Sequence, residues 1–244
     1  MKTITQHITE RLQLNRDRVH KIEYEYFPKT YQELKDIIKD ITSKHKNDKI
    51  INLNMIDTSL ITDMKTLFYG AKNNYNISEW NVSNVKNMAY MFAYSLFNND
   101  ISDWDVSNVE DMYAMFFTSI FNNDISQWNV SNVKIMRSMF ADSKFNKDIS
   151  KWDVSNVTDM NSMFQQSKFD GDISQWDVSS VENMYAMFEK SKFNGDISEW
   201  NVSNVKNIEY IFAMSKFNQD LTPWKDKIKD EKQLKYIDDY IYLK

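Results

Sequence analysis

The sequence predicts an α/β solenoid built from 24-residue strand–turn–helix coils, with a parallel sheet on one face and a cap at each end. All seven tryptophans lie 24 residues apart, from Trp80 to Trp224. The residues around them repeat at the same interval, so that 100–116 and 124–140 are near-copies of one another. A fixed period between about 20 and 50 residues is typical of solenoids. With three glycines and two prolines in 244 residues, the chain is poor in the residues that make linkers and glycine-rich rolls.

Residues 1–52 do not repeat, and they predict an N-terminal cap. A short amphipathic helix is predicted from apolar residues four apart, Ile4, Ile8 and Leu12. Residues 21–27 alternate in polarity, which predicts a strand. Thr30 and Glu33 form a capping box for a second helix. The stripe of that helix is Tyr31, Leu34, Ile37, Ile38 and Ile41. A cap is needed because the first coil would otherwise leave an apolar face open to water.

Residues 53–220 hold the repeat. Residues 53–76 are a worn copy in which Ile56 takes the place of tryptophan. Six full copies follow without insertion: 77–100, 101–124, 125–148, 149–172, 173–196 and 197–220. Residues 221–244 begin as another copy and then depart from it, with Pro223 in a predicted last edge strand. A C-terminal cap helix is predicted from the spacing of Leu234, Ile237 and Ile241.

The copy 101–124 shows what one repeat is expected to look like. A short strand is predicted over residues 103–106, with Trp104 and Val106 pointing inward. A turn is predicted at 107–108. A helix is then predicted from residues at helical spacing, Val109, Met112, Met115, Phe116 and Ser119. The tryptophan, methionine and phenylalanine series are expected to form the core, not an exposed binding ladder.

The repeat string Phe-Asn-x-Asp-Ile-Ser-x-Trp-(Asp/Asn)-Val-Ser-Asn-Val-x-x-Met-x-x-Met-Phe resembles the BspA-like class of leucine-rich repeats. It is similar to the Met-Phe-ending form that is abundant in mycoplasma and gut-bacterial surface proteins. The resemblance covers residues 53–224 and implies a right-handed leucine-rich-repeat superhelix. It implies no single function, because members range from adhesins to uncharacterised proteins. The string Ile-Thr-Glu-Arg-Leu-Gln-Leu-Asn at 8–15, with Tyr-Phe-Pro-Lys-Thr at 26–30, resembles stand-alone proteins of gut bacteria and their phages.

The composition narrows the classes of partner. A net charge of −5 argues against nucleic acid or an anionic membrane as the main partner. The absence of cysteine suits a reducing compartment. The first ten residues lack the apolar core of a signal peptide, and no apolar run is long enough to span a membrane. A cytoplasmic location is expected, which is the host cytoplasm if the protein is phage-encoded.

The sequence has no arrangement that is typical of an enzyme. The three histidines, His7, His20 and His45, share no metal-ligand spacing. There is no glycine-rich phosphate loop or nucleophile elbow. Carboxylates recur in every copy, whereas catalysis needs one distinct constellation. We therefore expect no catalytic residues and no cofactor. An enzyme would need a non-repeating polar pocket where 1–52 meets the first coil.

One aspartate precedes the predicted strand of each copy: Asp100, Asp124, Asp148, Asp172, Asp196 and Asp220. In a stack of strands these carboxylates would lie about 4.8 Å apart and repel one another. One interpretation is that each carboxylate accepts a backbone N–H bond within its own turn. The alternative is calcium between the coils, although the glycine-rich nonapeptide of repeat calcium sites is missing.

Two columns of variable side chains flank the tryptophans, and we call them the strip. The first column is Glu79, Asp103, Gln127, Lys151, Gln175 and Glu199, and the second is Asn81, Asp105, Asn129, Asp153, Asp177 and Asn201. Six acids against one lysine make the strip a candidate surface for a protein partner with a basic surface. The alternative is a solvated face with Asn/Asp hydrogen-bond ladders.

A second candidate surface lies on the predicted helix side. Aromatic residues replace small, polar or charged ones at Tyr90, Tyr94, Tyr113, Phe117, Tyr185 and Tyr210. The first four lie in adjacent copies, and an exposed aromatic cluster is typical of a protein interface. The alternative is packing of these rings against the N-terminal cap.

These features predict a non-catalytic protein-binding module that uses the variable positions of a repeat solenoid. The phage resemblance adds the hypothesis that a phage encodes it and that its target is a host protein. The alternatives are a surface or virion-associated adhesin and, less favoured, an enzyme with its site at the cap–solenoid junction. The sequence predicts no particular oligomeric state.

Overall fold

The computed structural model describes residues 23–242. Regular secondary structure is sparse, and its elements are α1 (Tyr31–Lys44), β1 (Ile50–Asn52), β2 (Asn74–Asn76), a 3-10 helix (Thr222–Trp224) and α2 (Glu231–Tyr242). Strands β1 and β2 pair in parallel. The remainder of the described chain consists of turns, isolated bridges and irregular segments.

Helix α1 forms where the sequence predicts it. The Thr30 hydroxyl accepts the backbone N–H of Glu33 at 3.2 Å and so caps the helix. The Glu33 carboxylate accepts the N–H of Lys29 at 2.7 Å, one residue earlier than in a standard capping box. Three residues of the predicted stripe are buried, Leu34, Ile38 and Ile41. The helix lies against the first copy, where the Tyr31 hydroxyl hydrogen-bonds Thr66 Oγ1 at 3.2 Å.

The strand predicted over 21–27 is reduced to one bridge in the described chain. Tyr26 forms an isolated parallel bridge with Ile56, the residue that takes the place of tryptophan in the worn copy. Residues 21 and 22, like the helix predicted from Ile4 to Leu12, lie outside the described residues.

Successive copies stack with a constant offset. Isolated parallel bridges join residues 24 apart, at Asp63, Asn87, Asp111, Ile135, Asp159, Asn183 and Asn207. A series of inter-copy hydrogen bonds follows each bridge. In the copy 101–124, four N–H groups donate to carbonyls of the next copy at 2.8–3.0 Å. The donor–acceptor pairs are Met112–Ile135, Ala114–Arg137, Phe116–Met139 and Thr118–Ala141. We call residues 112–118, and their equivalents in the other copies, the ladder segment.

The helix predicted for each copy is wrong. Residues 113–118 and their equivalents form turns. Along each ladder segment before the last, N–H groups alternate between the next copy and the carbonyl three residues earlier, as Ala114 and Met115 show. Ala114 and Thr118 both have a φ of 51°, which is the left-handed conformation at the third position of a type II turn. Half of the donors therefore bond along the stack, whereas the donors of a helix bond within it.

The strand predicted over 103–106 is also wrong. Its backbone makes no hydrogen bond to another copy in the described chain, and the Trp104 N–H closes a turn on the Ile101 carbonyl at 3.2 Å. Trp104 does point inward, and its indole Nε1–H donates to the carbonyl of Ile77 in the preceding copy at 3.1 Å. All seven tryptophans make this bond to a carbonyl 27 residues earlier. Tryptophan thus joins neighbouring copies by a hydrogen bond that phenylalanine cannot make.

Columns of stacked rings fill the interior, as predicted. Phe92 stacks on Phe116 with a centroid distance of 5.6 Å, and Phe116 on Phe140 at 5.7 Å. The rings of Trp104 and Trp128 lie 6.5 Å apart and within 2° of parallel. The predicted core is confirmed, because the repeating tryptophans, methionines and phenylalanines are buried in the full copies, with Ile208 and Ile211 buried at the methionine positions of the last one.

Helix α2 closes the C-terminal end, as predicted. Ile237 is fully buried and Leu234 is partly buried against the core, whereas the side chain of Ile241 is outside the described part. Pro223 lies in the 3-10 helix, not in the edge strand predicted for it. Gln233 is buried, and its Oε1 accepts the N–H of Ile208 at 2.8 Å.

The right-handed superhelical course and the domain boundaries at 52 and 220 stay predictions. The stacked copies give a long surface on which one side chain per copy recurs at each repeat position. The candidate site therefore lies wherever the copies differ.

Candidate functional site

The strip is exposed along its length. Every predicted binding residue on it lies in solvent: Glu79, Asp103, Asp105, Gln127, Lys151, Asp153, Gln175, Asp177 and Glu199. The carboxylates of its second column bond within their own turns. Asp153 accepts the Ser155 N–H at 3.1 Å and the hydroxyl at 2.6 Å. These are local turn bonds, unlike the ladders between copies that the alternative interpretation expects.

The first column of the strip makes few polar contacts. The amides of Gln127 and Gln175 donate to the hydroxyls of the serines that precede them, at 3.2 and 3.3 Å. Within residues 23–242, the side chains of Asp103, Lys151 and Glu199 make no hydrogen bond or ion pair. Exposed charges of this kind raise the association rate with an oppositely charged partner and make it depend on salt. They contribute less to the affinity of the complex.

The aspartate that precedes each tryptophan accepts a bond in its own turn, as the first interpretation predicts. The carboxylates of Asp100, Asp124, Asp148, Asp172 and Asp196 each accept the N–H of the serine two residues later at 2.9 Å. The Ser150 N–H and then its hydroxyl lower the pKa of Asp148. Across residues 23–242, no three histidine, aspartate or glutamate side chains are grouped as a metal site requires.

The aromatic residues predicted as a second surface come together on the ladder side. Edge-to-face ring pairs join them, with centroid distances of 5.4 Å for Tyr69–Tyr94, 5.1 Å for Tyr94–Phe117 and 4.6 Å for Tyr90–Tyr113. The Arg137 guanidinium lies over the Tyr113 ring at 5.5 Å and continues the contact into a fourth copy. Within the described chain, these ring contacts are with one another and not with the cap residues 23–52.

Three residues of this surface were not predicted. Tyr69, Leu96 and Ile120 are 53%, 44% and 40% exposed. We define the apolar patch as Tyr69, Tyr90, Tyr94, Leu96, Tyr113, Phe117 and Ile120. A signal for two of them was present in the sequence, because later copies carry lysine at the position of Leu96 and Ile120, at Lys144, Lys168, Lys192 and Lys216.

The hydroxyl of Tyr90 stays neutral at physiological pH. Burial, and then a hydrogen bond with Tyr113, raises the pKa of Tyr90 to about 12. The patch therefore offers apolar rings with hydroxyl groups, and the Arg137 guanidinium lies at its border. This combination of tyrosine and arginine is enriched in the centres of protein interfaces.

The backbone beneath the patch is held in an unusual conformation. Tyr90 and Tyr94 both have a φ of 57°, which costs an L-residue about 1–2 kcal/mol. Ladder bonds offset this cost, since the two N–H groups donate to the carbonyls of Tyr113 and Phe117 at 2.7 and 2.8 Å. The ladder bonds therefore fix the backbone conformation from which the side chains of Tyr90 and Tyr94 project.

The cap–solenoid junction holds a cavity of about 620 Å³. Charged residues line one side, Lys35, Asp36 and Lys39 from α1 and Lys46 just after it, and Leu67, Asn73 and Tyr75 line the other. Asp36 is the one carboxylate in the described lining, which contains no histidine, and the Gln32 amide donates to it at 3.0 Å.

Comparison with protein-family profiles matches residues 33–148 and 141–237 to a family described as Mycoplasma protein of unknown function, DUF285. The two stretches together cover most of the chain. The chain belongs to this family. The DUF285 match includes most of α1, every copy of the repeat and the first turns of α2.

DUF285 membership supports the mycoplasma part of the resemblance and assigns no activity. Neither the curated proteins nor the solved structures contain a match to the chain. Across the described residues, the helices are too short or too polar to cross a membrane.

Proposed function

We propose that this DUF285 protein is a non-catalytic module that binds a protein partner through the apolar patch. The observation that carries the proposal is the difference between copies of one repeat. Positions that hold Tyr94 and Phe117 in the early copies hold Lys190 and Gln165 in later ones, on the same ladder backbone. Since the interior is constant, these differences are free to serve recognition.

The patch has the composition that protein interfaces favour. The described chain exposes nine large hydrophobic residues, and four of them, Tyr69, Tyr94, Leu96 and Ile120, belong to the patch. Contiguous exposed apolar surface is uncommon on soluble proteins without a binding role. Truncation of a tyrosine at an interface centre commonly costs about 2 kcal/mol or more of binding free energy.

The strip completes the proposed partner chemistry. Its six acids and single lysine favour a partner that carries a basic surface beside an apolar one. One carboxylate of the second column, Asp177, is held in its charged form, because the hydroxyl and then the N–H of Ser179 lower its pKa. We assign the strip to steering and the patch to affinity.

The proposal extends to the origin and class of the protein. We infer a right-handed BspA-like leucine-rich-repeat solenoid, encoded by a phage of a gut bacterium and directed at a host protein in the cytoplasm. The 24-residue repeat string supports the class, and the N-terminal string at 8–15 supports the origin. A surface or virion-associated adhesin remains the alternative.

Affinity capture from a bacterial lysate tests the patch. The variant Tyr94→Lys/Leu96→Lys/Phe117→Gln carries residues that other copies hold at the same positions, so we expect it to fold. We expect at least a tenfold loss of the captured partner, which corresponds to about 1.4 kcal/mol. Quantitative mass spectrometry of the captured proteins measures the loss.

A matched control separates the two surfaces. The variant Asp103→Lys/Glu199→Lys changes charge on the strip and leaves the patch intact. It should retain the partner at high salt and lose part of it at low salt. Equal capture by the patch variant and the unchanged protein would contradict the proposal, as would turnover in an activity screen without any stable partner.

A further inference from the structure

The ladder ends at the last full copy with donors that lack acceptors in the described chain. Within residues 23–242, thirteen non-glycine residues have positive φ. Eleven of them donate their N–H to a carbonyl of the next copy, which leaves two of the thirteen, Tyr210 and Met214. Their N–H groups, and that of Phe212 between them, have no acceptor within residues 23–242.

Helix α2 replaces the next copy only in part. Gln233 Oε1 accepts the N–H of Ile208, the first donor of the last ladder segment, at 2.8 Å. The Tyr240 ring packs on Phe212 with a centroid distance of 5.3 Å. The helix thus pairs one donor and covers part of the apolar end, but it supplies no carbonyl to Tyr210 or Phe212.

A cavity of about 200 Å³ lies beside the unpaired donors. Its described lining is apolar and aromatic: Ile208, Tyr210, Ile211, Phe212, Ala213, Tyr236 and Tyr240. Burial raises the pKa of Tyr240 to about 12, so that its hydroxyl stays neutral. Met214 and Tyr210 border this end and are 80% and 56% exposed.

The last donors keep the backbone conformation of a ladder segment, although no further ladder segment follows within residues 23–242. Tyr210 and Met214 have φ angles of 58° and 57°, the same conformation that Ala114 and Thr118 adopt when bonded. Each costs about 1–2 kcal/mol in an L-residue. Elsewhere the inter-copy bond offsets this cost, so the last ladder segment is strained and already arranged to receive carbonyls.

We propose that this open end of the ladder binds an extended peptide segment of a partner protein. The segment supplies carbonyls at alternate residues to Tyr210, Phe212 and Met214, and an apolar side chain between them enters the cavity. This is a form of β-strand addition, in which backbone bonds give affinity and a side-chain pocket gives specificity. The surface is separate from the apolar patch, so the inference does not depend on the proposed function.

A second copy of this chain fits the open end less well. In a second copy, the carbonyls equivalent to the missing acceptors would be those at the N-terminal end of the ladder. They belong to Lys65, Leu67 and Tyr69 and accept no hydrogen bond in the described chain. That end is covered by α1, where Tyr31 bonds Thr66 and Ile38 lines one cavity with Leu67. Two C-terminal ends would place donors against donors.

A synthetic peptide with the sequence of residues 157–167 tests the site. In the folded chain, this segment supplies the carbonyls of Asp159, Asn161, Met163 and Gln165 to the preceding copy. Added to the full-length protein at millimolar concentration, it should shift the backbone amide signals of Tyr210, Phe212 and Met214 in NMR spectra. It should also slow their hydrogen exchange at least about tenfold, and a scrambled peptide should do neither.

Two variants of matched chemistry locate the peptide. Ala213→Phe fills the cavity, and the fold accepts an aromatic ring at this repeat position at Phe117. It should weaken peptide binding at least about tenfold, or about 1.4 kcal/mol. Gln165→Phe introduces the same ring at the same repeat position of an interior copy. This control variant should bind the peptide at the open end as the unchanged protein does.

Three outcomes overturn the inference. The first is that the peptide shifts only amides outside the open end. The second is that Ala213→Phe and Gln165→Phe bind the peptide equally. The third is that the amides of Tyr210, Phe212 and Met214 are protected before any peptide is added. Protection that rises with protein concentration then identifies a second copy, and constant protection identifies residues of the same chain. Retained peptide binding by the Tyr94→Lys/Leu96→Lys/Phe117→Gln variant separates this site from the apolar patch.

Discussion

The early and late copies of the ladder share an interior and a backbone but present different surfaces. In the copies up to residue 124, the ladder side carries the apolar patch, whereas equivalent positions in the later copies carry residues such as Asp142, Lys144 and Lys190. The ring pairs Phe116–Phe140 and Phe164–Phe188 both have a centroid distance of 5.7 Å. A change of surface therefore leaves the spacing of the copies unchanged.

The interior sets this spacing because its tryptophan and phenylalanine positions repeat in every full copy. Trp104–Trp128 and Trp176–Trp200 both stack at 6.5 Å. Each indole also donates to a carbonyl of the preceding copy, at 3.1 Å for both Trp104 and Trp200. The comparison teaches that constant positions define the distance between copies, and that the variable ones are available for recognition.

The largest expected effect tests whether the two interiors are equivalent. Trp104→Ala lies in a copy that carries part of the patch, and Trp176→Ala lies in the later copies. Each should lower the free energy of unfolding by about 3–5 kcal/mol through lost burial and the cavity left behind. Denaturant unfolding measures both, and the two values should agree within about 1 kcal/mol.

A clear inequality between these variants would show that surface contacts contribute to the core in one half. Trp176→Phe is the matched control, since it keeps a stacked ring and removes the indole N–H bond to Ile149 O, which is 3.0 Å long. It should lower the free energy of unfolding less than Trp176→Ala does, because the stacked ring is kept. The loss should still be about 1–3 kcal/mol, because a buried carbonyl is left without its donor.

A smaller effect on stability is expected from glycine substitutions at left-handed backbone positions in the early and the late copies. Gln166 and Tyr94 occupy the same left-handed position, with φ of 55° and 57°, where the worn copy has Gly70. Gln166→Gly should stabilise the protein by up to about 1 kcal/mol, because relief of about 1–2 kcal/mol exceeds the entropy cost of glycine, about 0.5–1 kcal/mol. Thermal unfolding measures the change.

The same substitution in the patch should have the opposite sign. Tyr94→Gly gains the same relief but loses the edge-to-face contacts with Tyr69 and Phe117, each worth about 0.5–1.5 kcal/mol beyond burial. We expect a neutral or destabilising change. Lys168→Gly, an exposed position with ordinary φ, should cost about 0.5–1 kcal/mol. Equal stabilisation by Tyr94→Gly and Gln166→Gly would mean that the patch rings do not hold one another.

The period and the core could be predicted from the sequence because both depend on burial. Any chain that stacks copies must bury the same apolar positions, and Trp104, Met112 and Phe116 are buried as expected. Helix α1 was equally readable, since Thr30 and Glu33 signal its start and its apolar residues recur at helical spacing. The turn acceptors such as Asp148 followed from the local chemistry of aspartate.

The turns of the ladder segment could not be predicted in the same way. Val109, Met112, Met115 and Phe116 fit a helical stripe, and they equally fit turns whose alternate residues bond to the next copy. The usual signal for a left-handed turn position is glycine. Only Gly70 gives it, and the thirteen other left-handed positions carry residues such as Thr66, Tyr90 and Lys190. Inter-copy bonds fix these positions, and no local pattern encodes such bonds.

The site could be predicted in part for the same reason. Tyr90, Tyr94, Tyr113 and Phe117 stood out as departures from the repeat, and they contact one another or Tyr69. Leu96 and Ile120 are departures too, but aliphatic residues in a repeat rich in apolar positions are not conspicuous. The open end of the ladder was invisible in the sequence, because it depends on which backbone donors find acceptors.

The smallest expected effect concerns acid, and it compares the turns closed by aspartate with the turn closed by Asn76. The Ser150 N–H and hydroxyl hold the pKa of Asp148 below its usual value, and Asp124, Asp172 and Asp196 are lowered in the same way by their own serines. A carboxyl whose folded pKa lies below its unfolded value of about 3.9 stabilises the fold above that pH. Its contribution is lost as the pH falls through the folded pKa. The first copy instead uses Asn76, whose amide oxygen accepts the Ser78 N–H at 3.4 Å and does not titrate.

Replacing these four aspartates by asparagine should therefore flatten the acid limb of the stability curve. The melting temperature of the unchanged protein should fall below about pH 4, and that of the variant should fall less steeply. At pH 7 the variant should be slightly less stable, because a neutral amide is a weaker acceptor than a carboxylate. Parallel melting curves between pH 6 and 2.5 would show that other carboxylates control acid unfolding. In that case the turns closed by aspartate would contribute no more to the acid limb than the turn closed by Asn76.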